Sequence, residues 1–78
     1  MANILVINGP NLNNLGNRDP ETYGTITLEE INKALKDKSV TLNSNVLCFQ
    51  SNHEGEIIDK IHEAIGKVDG ILINPGAL

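Results

Sequence analysis

Three short apolar runs, at residues 4–7, 46–49 and 71–73, constrain this chain more than any other feature. None alternates strictly with polar residues, which is the pattern of strands covered on both faces. Two segments of helical spacing separate them. The first spans about residues 28–38 and turns Leu28, Ile31, Ala34 and Leu35 to one side. Thr27 and Glu30 give it a capping box, and Ile26 with Ile31 fits a hydrophobic staple. The second spans about residues 54–65, with Ile57, Ile58, Ile61, Ala64 and Ile65 expected to face inward. Ser51 and Glu54 have capping-box spacing there, Asn52 is an alternative cap, and Gly66 suits a left-handed residue past the helix end. The order strand, helix, strand, helix, strand implies parallel strands joined by right-handed crossovers. The expected fold is α/β, a three-stranded parallel sheet in order 2-1-3 with a helix on each face.

Composition agrees with a single small domain over residues 1–78. The hydrophobic fraction is 40% but Tyr23 and Phe49 are the only aromatics, so the core must be aliphatic. A net charge of −4, with Arg18 and five scattered lysines, argues against a nucleic-acid partner, because neutralising phosphates takes clustered cations. Cys48 is the only cysteine, so no internal disulfide forms, a reducing compartment fits, and its ordinary role is a small core hydrophobe. No apolar run approaches the ~20 residues of a membrane span. Met1-Ala2-Asn3 leads into a strand without a basic leader. The expectation is a soluble cytoplasmic protein with no membrane partner.

All three strands run out into polar, turn-rich sequence: Asn8-Gly9-Pro10-Asn11, Gln50-Ser51-Asn52-His53 and Asn74-Pro75-Gly76. Ligands of open α/β sheets bind outside the carboxyl ends of the strands, so a site is expected there. The connection over residues 9–25 is long for a strand-to-helix loop, which typically takes 2–6 residues. It carries Gly16, Asn17 and Gly24, and residues 15–24 are expected to be the most mobile internal segment, as in a lid. Gly9-Pro10-Asn11 fits neither a dinucleotide nor a P-loop fingerprint. His53 and His62, nine residues apart, do not make a metal-ligand cluster, so no metal is expected. Arg18 beside Tyr23 is more suggestive, since a guanidinium lowers the phenol's reference pKa of ~10 and so favours a phenolate base. Residue types alone leave open the alternative of a packed tyrosine and a solvated arginine. Glu54 and Glu56 suit the start of a helix better than an acid/base pair, and Asp19 and Glu21 read as solvated.

Three motifs, in this order, resemble the type II 3-dehydroquinate dehydratases. They are Asn8-Gly9-Pro10-Asn11-Leu12-Asn13 with Leu15-Gly16, Arg18, Pro20 and Tyr23-Gly24; residues 49–56, Phe-Gln-Ser-Asn-His-Glu-Gly-Glu; and residues 69–77, Asp-Gly-Ile-Leu-Ile-Asn-Pro-Gly-Ala. The resemblance covers nearly the whole chain; Asn14 and Leu78 depart from the leucine and the aromatic usual at those places. It implies a flavodoxin-like fold, no cofactor, and dehydration of 3-dehydroquinate. It further implies that Tyr23 is the base, Arg18 the lid arginine that favours the phenolate, Asn11 an enolate-stabilising asparagine acting through water, and Asn74 a ligand of substrate hydroxyls. The family's acid is a histidine on a later strand. Neither His53, with an implied structural or subunit-contact role, nor His62, an ordinary late-helix histidine, matches it. A complete sheet of this type needs two further βα units of roughly 30 residues each. The chain is therefore expected to be a partial domain, the amino-terminal half, inactive alone and with the third strand as an apolar edge. The family self-associates into trimer-based dodecamers. A non-catalytic assembly module and a small flavodoxin-like ligand-binding domain are the alternative readings.

Overall fold

A computed structural model describes residues 2–14 and 26–77. Its elements are β1 (Ala2–Asn8), a short 3-10 turn (Leu12–Asn14), α1 (Leu28–Thr41), β2 (Ser44–Gln50), α2 (Glu54–Ala64) and β3 (Gly70–Asn74). The strands are parallel in the order β2-β1-β3, as the sequence pattern predicts. Register partners share a face, so Leu5 aligns with Leu47 and Ile71, and Ile7 with Phe49 and Ile73. Ile57 and Ala64 of α2 close over Leu5 and Ile7, with Phe49, Ile61 and Val68 packed around them. The opposite face carries Val6, Cys48 and Leu72 in register. There α1 packs against β2, with Lys36 close enough to act on the Cys48 thiol. One helix covers each face, because the crossovers from β1 to β2 and from β2 to β3 run in opposite directions with the same hand.

Burial is uneven in a way the apolar runs do not foretell. The central strand is sealed, with Leu5 1% and Ile7 0% exposed. The outer strands are not: Leu47 on β2 is exposed, as are Ile71, Leu72 and Ile73 along β3. Among the described residues, only β1 has a strand on each side and a helix on each face.

The helices depart from expectation in phase and length. Ile58 and Ile65 are exposed, Ile65 to 72%. Ile57, Ile61 and Ala64 hold the inward stripe, and Ile58 sits about 100° round the helix from Ile57. Helix α2 ends at Ala64, and Ile65 turns extended at ψ 124, losing the helical phase. Gly66 then takes the expected left-handed conformation at φ 79. Ala34 on α1 is exposed, whereas Ser39 is buried. The Ser39 hydroxyl donates to the Lys36 carbonyl at 2.6 Å, so its burial leaves that donor satisfied and α1 runs three residues past the expected end.

One cap matches the sequence reading and one does not. The Glu30 amide donates to Thr27 Oγ1 at 3.2 Å. At α2, neither Ser51 nor Asn52 is the N-cap; His53 holds that position without a side-chain cap bond. Both expected caps are engaged elsewhere. Ser51, buried, accepts from the His53 amide at 3.0 Å and donates to Glu56 Oε1 at 2.7 Å. Asn52 turns back toward the end of β1, where it shapes the candidate site.

Candidate functional site

The three strand-end loops interlock through backbone and amide groups. From the β1 end, the Gly9 amide donates to the Asn74 carbonyl at 2.8 Å. The Ala77 amide reaches back to the Pro10 carbonyl at 3.4 Å, and the Ser51 amide donates to the Asn8 carbonyl at 3.1 Å. Glycine is required at two of these crossings. A Cβ on Gly9 would run into the Pro75 carbonyl oxygen. One on Gly76, whose φ is +57, would lie 2.6 Å from the Pro10 carbonyl oxygen. The first and third loops are thus locked together at closer range than side chains allow.

Asn52 and Gln50 tie in the second loop. Asn52 Oδ1 accepts from the Asn11 amide at 2.9 Å and from Gln50 Nε2 at 3.1 Å. Gln50 Nε2 also reaches the Gly9 carbonyl at 3.3 Å. Asn11 itself is left-handed at φ 70, a conformation asparagine tolerates better than most residues. The Asn52 bond fixes its backbone while its exposed side chain stays free of the sheet. Asn74, ending β3, is exposed at the same carboxyl-end platform. Among the sequence-derived site residues, the structure therefore brings Asn11 and Asn74 to one end of the sheet. Arg18 and Tyr23 lie outside the described residues, as does the whole segment expected to act as a lid.

Gln50 and Asn52 emerge as the residues that hold Asn11, a role the sequence reading missed. The signal was their position: two amide side chains at a strand end that faces another polar strand end. His53 and His62 are exposed, at the N-cap and in the last turn of α2, and neither imidazole is bonded into this network among the described residues. A shallow apolar depression lined by Leu5, Leu47, Lys60, Glu63, Ala64, Lys67 and Val68 lies under α2 and shares no residue with the strand-end loops. It lacks the convergent polar groups of the loop platform, which is the better candidate site.

The family model for dehydroquinase class II matches residues 2–78, which takes in all three loops and both asparagines. The chain belongs to the class II dehydroquinase family. It is 58% identical over 77 residues to the 3-dehydroquinate dehydratase of Prochlorococcus marinus strain MIT 9215, covering 99% of this chain and 52% of that protein. It is 57% identical over 76 residues to the catabolic 3-dehydroquinase of Verticillium alfalfae, covering 97% of this chain and 51% of the relative. The crystal structure of the type II dehydroquinase from Butyrivibrio crossotus superposes with a TM-score of 0.92 at 52% identity, covering 97% of this chain and 53% of that one. The Propionibacterium acnes type II dehydroquinase gives 0.87 at 36% identity, with 96% and 52% covered. The chain spans about half the length of the curated relatives it matches. The flavodoxin-like α/β fold of the family is the fold seen here, in the strand order β2-β1-β3.

Proposed function

We propose that these residues supply part of the active site of a 3-dehydroquinate dehydratase, a hydro-lyase that forms 3-dehydroshikimate in the shikimate pathway without a cofactor. The family match over residues 2–78 carries this reading. Tyr23, as phenolate, takes the proton next to the substrate ketone, and the electron pair moves into an enolate. Arg18 favours the phenolate, because a nearby cation lowers a phenol's pKa. Asn11 stabilises the enolate through a bound water, and Asn74 hydrogen-bonds substrate hydroxyls. The enolate then collapses with anti loss of the hydroxyl, which leaves as water once an acid protonates it. That acid is a histidine in the family, and neither His53 nor His62 takes the part.

The platform geometry supports Asn11 and Asn74 in these roles. An enolate is stabilised by donors held in place before charge develops, and the Asn52 bond fixes the Asn11 backbone in that way. Assembly into trimer-based dodecamers and a cytoplasmic location belong to the same proposal. The test is the ultraviolet absorbance of the conjugated product when a full-length protein carrying these residues is given 3-dehydroquinate. Steady formation of the enone is expected. A folded protein that forms none would contradict the assignment.

A further inference from the structure

In-register parallel strands bring like amide side chains within reach of one another, the arrangement that forms asparagine and glutamine ladders. Gln50, Asn8 and Asn74 are such a row, aligned across β2, β1 and β3 on one face at the carboxyl end of the sheet. The row is incompletely bonded. Asn8 is only 5% exposed, yet its Nδ2 is fully buried with no acceptor among the described residues. A buried donor without a partner costs about 1–3 kcal/mol, and native proteins seldom retain one without a use.

The two neighbours are not equivalent. Gln50 has its amide plane fixed by the bonds to the Gly9 carbonyl and to Asn52 Oδ1, and in that setting it does not accept from Asn8. Asn74 is exposed, and no hydrogen bond holds its side chain among the described residues. The backbone beneath the second pair is rigid, because the Gly9 amide is bonded to the Asn74 carbonyl and Gly9 is pressed against Pro75. Asn8 and Asn74 are register partners on one face of the sheet, so their side chains stand side by side.

We propose that Asn8 is the positioning residue for Asn74: its buried Nδ2 donates to Asn74 Oδ1, turning the Asn74 amide nitrogen outward as a fixed donor for a substrate hydroxyl. The inference rests on the substrate-binding role given to Asn74 above. It explains why a central strand, apolar from Ile4 to Ile7, ends in a buried amide. Asn8 does not touch substrate; it removes the rotational freedom that Asn74 would otherwise lose on binding.

The test compares Asn8→Leu, Asn74→Ala and the double variant in the full-length enzyme carrying this chain, reading KM, kcat and thermal midpoint. Leucine keeps the branched shape and removes the donor. Asn8→Leu is expected to raise KM for 3-dehydroquinate about three- to tenfold, the scale of one hydrogen bond. It should leave kcat nearly unchanged, with the thermal midpoint falling by no more than the loss of one hydrogen bond allows. In the Asn74→Ala background it should add nothing. An unchanged KM with a lowered midpoint would mean a purely structural Asn8 and would overturn the proposal, as would additive effects of the two changes. An Asn74→Ala enzyme with normal KM would instead sink the substrate role of Asn74. If Asn8→Leu fails to fold, a crystal structure of the unaltered protein with a substrate analogue decides. An Nδ2–Oδ1 separation within ~3.2 Å is expected, and a water or Gln50 as the partner of Nδ2 overturns the inference.

Discussion

Gly9 shows how much of the site depends on a side chain that is absent. Its Cα faces the Pro75 carbonyl, so Gly9→Ala forces the first and third loops apart. Overpacking of this kind costs about 1–3 kcal/mol, and a lower thermal midpoint in Gly9→Ala is the expected result; an unchanged midpoint would mean the loops are not locked. Cys48 gives a second residue-level check. Burial pushes its thiol pKa up, only partly opposed by the Lys36 ammonium, so less thiolate is present near neutral pH. Iodoacetamide should therefore alkylate Cys48 more slowly in the folded protein than in urea, and equal rates would argue against the packing of β2. Arg18→Ala should cut turnover severely at neutral pH, with activity partly recovered at higher pH as Tyr23 ionises unaided. Resemblance of motif marks Asn11 and Asn74 as candidate site residues, and the structure sets both at the carboxyl end of the sheet. The left-handed Asn11 backbone and its bond to Asn52 were not legible in the sequence, since they depend on a contact across 41 residues of sequence.

At the level of elements, the two helix starts show where local rules hold. Thr27 caps α1 as its capping-box spacing predicts, its hydroxyl accepting from the Glu30 amide. Ser51 and Asn52 have equally good local credentials, but Ser51 is taken by the His53 amide and Glu56 at the start of α2, and Asn52 by Asn11 and Gln50 at the strand ends. Ser51→Ala should destabilise the protein by about 1–3 kcal/mol, because the His53 amide and Glu56 lose a buried partner. A loss measured by denaturant midpoint that is no larger than that of an exposed serine would deny Ser51 this role. The strand order and the helix on each face were readable from three apolar runs and the handedness of crossovers. The exposure of Ile58, Ile65 and most of β3 was not, because hydrophobic spacing marks an apolar side without saying what stands against it.

For the whole molecule, the consequence of that exposure lies along β3. Ile71 and Ile73 on one face and Leu72 on the other are exposed along β3, which among the described residues pairs only with β1. Such an edge invites association, and residues 1–78 as a separate polypeptide are expected to self-associate in sedimentation and to show no dehydratase turnover. General acid catalysis contributes about 10²–10⁴-fold, and none of the assigned residues supplies it. Monomeric, active material would contradict both expectations. Under the proposed function, the base of the dehydratase is Tyr23. The most direct measurement is the turnover of 3-dehydroquinate by a full-length enzyme carrying these residues, against its Tyr23→Phe variant, under saturating substrate. Phenylalanine keeps the ring and removes the proton acceptor, so turnover should fall by at least about 100-fold while substrate binding persists; near-normal turnover by Tyr23→Phe would place the base elsewhere.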